Sequence, residues 1–364
     1  MPPGVIDGAM PSVPAGFSIE VIARVPHARE LVVTRNGDLL VGSLGRDVFV
    51  VPDAQDRPLA ASVFAHLDDV EAAGLALAPG ALVVGTTHGV WKIPYQPGDR
   101  VARGDAQRLF SVRTGGDGGH STTSVAVTGD TLYASVGSSC NACDESDPTR
   151  ATIVTASLAG AGLRPVAVHI RNAIALAVDP ATGHFWAGVA GQDELAPGHP
   201  YEIFDDVGDR SGVPNYGWPA CYEDRRAARP GADCANQTVP RAVFPAYETP
   251  IGATFSPAEA GGHFAFPPAW RGGAFVALHG SWHQPPVEPR VVFVPIHGDE
   301  PATDVDWRDP TAQWKTFAGG WQHDDGSRIG RPTGVALGTD GTLFIADDLT
   351  GRIFRIRPSP PRSQ

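Results

Sequence analysis

Apolar and polar positions alternate in short runs along most of this chain, and the runs recur. One unit reads LVVTRNGDLLVGSLGRDVFVV from Leu31: an alternating run, an Asn-Gly turn, a second run ending in small residues, and a third run. Related units are GLALAPGALVVGTTHGVWKI from Gly74, SVAVTGDTLYASVG from Ser124 with ATIVTASL after it, and IALAVDPATGHFWAGVAG from Ile174 with YEIF after it. A diverged fifth unit has IGATFSP from Ile251, then GAFVALHGSW and PRVVFVPI; a sixth is TGVALGTDGTLFIADDLTGRIFRI from Thr333. Alternation with a period of two predicts strands. Asn-Gly, Thr-Gly-Asp and Asp-Gly supply the positive φ that tight hairpins need. Small residues after the second run (Gly42-Ser43, Gly85-Thr86, Gly137-Ser138, Gly188) suit a crowded place near an axis. Repeats of about 40–50 residues with several strands each predict an all-β fold, a six-bladed β-propeller with long inter-strand loops, over 1–364 as a single domain. A closed ring also removes exposed sheet edges. The pattern specifies architecture and not chemistry.

Two stretches break the period: Asp193–Thr249, rich in Pro, Gly and charge, and Gly298–Ile329, with three Trp. Long loops on a rigid scaffold are where sites usually lie. Gly (43) and Pro (34) together exceed one residue in five of the 364, which suits many turns and argues against helix bundles. The net charge of −12 makes nucleic acid an unsuitable partner, since phosphate binding needs a cationic surface. Only Lys92 and Lys315 are lysines, so cations in any site will be mostly guanidiniums, which favour flat bidentate contacts with carboxylates. No apolar run reaches the length of a membrane span. The opening MPPGVIDGAMPSVPAGF lacks the pattern of a signal peptide, so the protein either stays in the cell or begins after a removed signal.

Cys140 and Cys143 lie in SSCNAC, and Cys221 and Cys234 bracket a polar loop. Four cysteines allow three pairings. A zinc site would need further ligands nearby, and a thioredoxin-like role would need a βαβ setting. Two disulfides in an exported, periplasmic or secreted protein is the reading preferred here.

Several residues carry chemistry of interest. His120, in RTGGDGGHSTTSVAV, has small neighbours that would let a ligand approach, and a neutral imidazole there could take a proton from an alcohol. A loop histidine at a strand start is the plain alternative. Arg171-Asn172 open the strand of HIRNAIALAV, and Arg328 and Arg331 open the last unit in SRIGRPTGV. Arginines at the same end of different blades would converge on one axial face and favour an anionic ligand. His279, Trp282 and His283 in ALHGSWHQPP suit a planar ligand or a sugar ring, or else a packed strand end. Asp193, Glu194 and Glu202 offer oxygens to Ca²⁺, or are solvated loop charge.

The order of these segments resembles the soluble PQQ-dependent glucose/sorbosone dehydrogenase family, most closely its sorbosone dehydrogenase-like branch, over residues 15–357. The resemblance rests on GGHSTTSVAV…LYASVGSSCNACDESDPTRA, on HIRNAIALAVDPATGHFWA followed by PYEI and NYGWP, and on GGAFVALHGSW and GRPTGVALGTDGTLFIADD. It implies oxidation of a sugar or related alcohol or aldehyde by hydride transfer to pyrroloquinoline quinone (PQQ). It implies His120 as general base and Arg171 beside the quinone oxygens. Arg171, Asn172, Arg331, Arg328, His279 and His283 would bind the cofactor. Gly191, Gln192 and Glu202 would hold a Ca²⁺ that polarises the quinone. A separate electron acceptor would be needed, because no C-x-x-C-H haem site is present.

The chain departs from the family pattern at Ala190, Tyr201, Phe204, Gln284 and Thr333, where relatives commonly carry a ligand or a charge. These positions keep two other readings in play. One is a metal-dependent hydrolase, lactonase or lyase on the same scaffold, using the histidines at 120, 279, 283 and 323. The other is a non-catalytic binding propeller.

Overall fold

The computed structural model describes residues 8–113, 119–195, 199, 201–208, 210–281, 283 and 286–359. Six antiparallel sheets form the fold, and the innermost strand of each touches that of the next until the ring closes. The inner strands are Ala28–Val33 (blade 1), Gly74–Ala78 (blade 2), Val125–Thr128 (blade 3), Ala173–Val178 (blade 4), Pro250–Ser256 (blade 5) and Pro332–Leu337 (blade 6). This is the six-bladed propeller that the repeat predicts.

Each repeat supplied three strands to the eye, and every blade has a fourth. The outer strands are Ser62–His66, Gln107–Ser111, Arg164–Val168, Ala242–Phe244 and Lys315–Ala318. Two of these, Ala242–Phe244 and Lys315–Ala318, lie inside the two stretches that break the period in the sequence. Blade 6 takes its outer strand from the other end of the chain: Phe17–Arg24 pairs antiparallel with Arg352–Pro358, Phe17 opposite Pro358. Outer strands such as SVFAH and QRLFS have little alternation because their edges face solvent, and so they carry a weak sequence signal.

Alternation places the core between blades. In blade 4, Phe185 packs toward blade 3 with Tyr133, whereas its neighbour Trp186 packs toward blade 5 with Phe255. Gly85 stands where a Cβ would run into the Thr123 carbonyl of the next blade, so its smallness permits the close approach of inner strands. Asn36-Gly37 and Asp340-Gly341 turn with φ of 84° and 88° at glycine.

Because neighbouring strands are antiparallel, the starts of the inner strands and the ends of the second strands meet at one pole of the ring. The loops around 120, 138, 171, 191, 248, 279, 331 and 348 therefore share that pole. Both disulfides form, Cys140–Cys143 and Cys221–Cys234. Among the described residues no helix is long and apolar enough to cross a membrane.

Candidate functional site

His120 lies partly buried on the loop entering blade 3. Its backbone N–H donates to the Ser138 carbonyl at 2.9 Å, and its Nδ1 lies 3.0 Å from Ser138 Oγ. The Ser138 hydroxyl hydrogen is used elsewhere, donating to the Cys140 carbonyl at 2.7 Å. Nδ1 must therefore carry the hydrogen, and Nε2 keeps its lone pair. Burial, and after it the charge of Arg171, push His120 down from 6.5 to about 4, so the ring is neutral at physiological pH. Arg150 holds the same loop, with Nη2 donating to the carbonyls of Ser138 (2.6 Å) and His120 (3.1 Å). Glu71 of blade 2 braces it from the other side, accepting from Ser121 Oγ at 2.9 Å and Thr122 Oγ1 at 3.3 Å.

Arg171 is buried at the start of blade 4. Its Nη2 donates to Asp193 Oδ2 at 3.0 Å and to Asn141 Oδ1 at 2.9 Å, its Nε to the Asn141 carbonyl at 3.2 Å, and its Nη1 to the Gly191 carbonyl. Asn172 follows it, and the buried Oδ1 of Asn172 has no hydrogen-bond partner among the described residues. Gly137 separates the two neighbours: a Cβ there would lie 2.6 Å from His120 Cβ and 2.7 Å from Asn172 Oδ1. His120 and Asn172 thus converge on one spot, from different blades.

Glu202 is buried, and its two oxygens accept the backbone N–H groups of Gly191 (2.8 Å) and Tyr247 (3.0 Å). Burial pushes it up from 4.5 to about 8. Tyr247 stacks on His283 with ring centres 3.8 Å apart, and His283 Nε2 lies 3.6 Å from Asp193 Oδ1. Asp193 is thus shared by blades 4 and 5. Glu194 is exposed. Trp282 and Gln284 lie outside the described residues.

Across the pole, Asp348 receives Arg29 Nη1 at 3.0 Å and His279 Nε2 at 3.1 Å. Burial pushes His279 down to about 4, so it donates as a neutral ring. Burial opposes ionisation of Asp348, but His279, Arg29 and Arg331 together hold its carboxyl well below the usual range. Arg331 donates to the carbonyls of His279 (3.2 Å) and Gly280 (3.0 Å), and burial lowers it to about 10. Arg328 is bound into the blade 5 loop, donating to Gln322 Oε1 at 2.8 Å and to the carbonyls of Ser281 and Val287. Ala190 packs with Ile174 and Ile251 in a small apolar cluster. Phe204 lies in the core between blades 4 and 5, Tyr201 Oη donates to the Trp307 carbonyl, and Thr333 Oγ1 donates to the Ala28 carbonyl at 3.0 Å. Ala190 and Phe204 thus serve packing, and Tyr201 and Thr333 hydrogen-bond to backbone within the fold.

Asn141, Asp348, Arg29, Glu71 and Arg150 were not singled out from the sequence. Asn141 carried one usable signal, a polar residue fixed between two cysteines. Behind Arg171 lies a cavity lined by His169, Tyr201, Tyr216, Trp218 and Gln237, with room for water. Among the described residues one group of three His/Asp ligand atoms lies close together: His184, Asp206 and Asp299. It sits beyond the Thr182-Gly183 turn at the opposite pole, where Arg241 already pairs with Asp206 at 2.9 Å.

The fold and pole define a six-bladed propeller with an arginine-lined end and a neutral imidazole among its cations. Solved structures share the six-bladed fold. The holo PQQ domain of pyranose dehydrogenase from Coprinopsis cinerea is 19% identical, with a TM-score of 0.81 over 98% of this chain and 99% of that one. The calcium structure of the Trichoderma reesei carbohydrate-active enzyme of family AA12 is 20% identical, with a TM-score of 0.80 over 96% and 97%. The PQQ-bound aldose sugar dehydrogenase of Streptomyces coelicolor is 19% identical, with a TM-score of 0.65 over 95% and 99%. Residues 222–359 match the TrAA12-like family profile. A Borreliella burgdorferi protein described as uncharacterized is 24% identical over 196 residues, 52% of this chain and 48% of its own length. The chain thus spans about half the length of that curated relative.

Proposed function

We propose that this protein is a quinoprotein oxidoreductase that oxidises a sugar or a related alcohol or aldehyde, with PQQ and Ca²⁺ as cofactors. The observation that carries the reading is the neutral His120, with its Nε2 lone pair, beside the buried Arg171 and an Asn172 Oδ1 without a partner among the described residues. A buried amide oxygen without a donor is costly, about 1–3 kcal/mol, and marks a place where a ligand would complete the hydrogen bonding. A flat tricarboxylate also fits a pole with Arg29, Arg171 and Arg331 in a protein of charge −12.

PQQ supplies the hydride acceptor, and Ca²⁺ supplies Lewis-acid polarisation of its carbonyl. For the cation, Gly191, Gln192 and Glu202 are the candidate holders. Each Glu202 oxygen accepts one N–H and, when the carboxyl is ionised, keeps a second lone pair for a cation. The Gly191 carbonyl would be shared with Arg171. His120 Nε2 accepts the hydroxyl proton of the substrate while Nδ1–H stays on Ser138. The resulting imidazolium faces Arg171 and Arg150, which disfavour it and so promote onward release of the proton.

Two disulfides suit an oxidising, periplasmic or secreted setting. Electrons would leave to a separate acceptor. The test is titration of the protein with PQQ and Ca²⁺, read by quinone absorbance and thermal shift, then dye reduction over a panel of aldoses and polyols. A bound-quinone spectrum with turnover is expected. No spectral or thermal response at micromolar PQQ would overturn the proposal.

A further inference from the structure

We propose that the Cys140–Cys143 loop is the positioning element of the polar site, with Asn141 setting Arg171 and Asp193 while the Cys140 carbonyl fixes the ring of His120. The loop itself carries none of the groups expected to touch a ligand. It nevertheless makes the contacts that orient two of them, from blades 3 and 4.

Asn141 is the hub of the cofactor side. Its Oδ1 accepts from Arg171 Nη2 and from the Asp193 backbone N–H, each at 2.9 Å. Its Nδ2 donates to the Asp193 carbonyl at 3.1 Å, and its own carbonyl accepts from Arg171 Nε and Trp218 Nε1, each at 3.2 Å. Asn141 therefore holds the Nε/Nη2 edge of the guanidinium through its side chain and its backbone carbonyl, and its side chain also holds the segment that carries the carboxylate partner. Arginine binds a planar anion well only when its fork is pre-oriented.

The base side depends on Cys140. Its carbonyl takes the Ser138 hydroxyl hydrogen, and this turns the Ser138 oxygen lone pairs toward His120 Nδ1. The Ser138 carbonyl, 3.2 Å from Nδ1, is already shared by the His120 N–H and Arg150. Were the Cys140 carbonyl to move away, Ser138 Oγ–H could rotate and donate to Nδ1. The hydrogen would then sit on Nε2, and the lone pair that takes the substrate proton would be lost. The loop is pinned by the disulfide and by Glu145, which accepts from Ser139 N–H at 2.6 Å and from Ser139 Oγ.

The test compares wild type with Asn141→Ala and Cys140→Ala/Cys143→Ala, with Cys221→Ala/Cys234→Ala as the control for loss of a disulfide. Histidine-selective ¹⁵N NMR reads the His120 tautomer, and absorbance titration reads PQQ affinity. Asn141→Ala should keep the single tautomer and weaken PQQ binding about 10–100-fold, the usual effect of removing a residue that orients a ligand contact. The Cys140/Cys143 variant should do both: mix the tautomers and weaken binding. The control should keep the tautomer. A single tautomer in the folded Cys140/Cys143 variant, or mixed tautomers in the control as well, would overturn the proposal. So would unchanged PQQ affinity in Asn141→Ala. The affinity arm rests on the function proposed above, and the tautomer arm does not. A wild type that ignores PQQ therefore sinks that function and leaves the positioning of His120 to be decided by NMR.

Discussion

His120 and Arg171 are joined through one residue: the His120 N–H donates to the Ser138 carbonyl, and the Ser138 N–H donates to the Arg171 carbonyl at 2.8 Å. The candidate base and the candidate quinone contact thus belong to one hydrogen-bonded ladder across two blades. Their charges are coupled as well, because Arg171 is the largest cause after burial of the low pKa of His120.

That coupling gives a pH prediction. An anionic cofactor seated on Arg171 offsets its charge, so the His120 pKa should rise from about 4 toward its ordinary 6.5 on binding. The rise also brings the base closer to the range where proton transfer is efficient. Histidine NMR titration with and without PQQ checks it, and an unchanged or lower value in the complex would refute the coupling.

Replacing His120 by Ala should lower kcat about 10²–10⁴-fold, the usual range for loss of a general base. PQQ affinity should change little, because the arginines supply most of the attraction for the carboxylates. Parallel measurement of turnover and quinone binding separates the two effects.

Gly137→Ala should damage the site without opening the ring. The new methyl would meet His120 Cβ at 2.6 Å and Asn172 Oδ1 at 2.7 Å, and one of them must move. A loss of about 1–3 kcal/mol is expected for such overpacking. The signature is a larger loss of turnover than of melting temperature; equal wild-type values of both would contradict the close approach.

Glu202 makes stability depend on pH. Its folded value of about 8 exceeds its ordinary 4.5, so between those values the folded state holds a proton that the unfolded chain has released. Stability of the cofactor-free protein should therefore fall as pH rises through that window. Glu30, raised to about 8, and Glu223 and Glu248, raised to about 7, act in the same direction. Ca²⁺ should raise the melting temperature more at the alkaline end of the window, where Glu202 can ionise. Glu202→Gln should reduce both the pH slope and the Ca²⁺ gain in calorimetry.

The sequence by itself determined the architecture. Alternation with a period of two, glycine turns and six-fold recurrence are local properties, and they sufficed for the blades because each sheet is built largely from neighbouring strands. Outer strands stayed hidden where alternation was weak, and closure of blade 6 by Phe17–Arg24 stayed hidden because its partner lies at the far end of the chain. Residue types that attract notice alone, such as His120 and the arginines, could be picked out along the chain. Their partners could not. Asn141 sits 30 residues before Arg171, and Asp348 sits 69 after His279. Only the closing of the ring brings these groups to one pole, and there burial and neighbouring charge set the tautomer of His120, the protonation of Glu202 and the partners of Arg171.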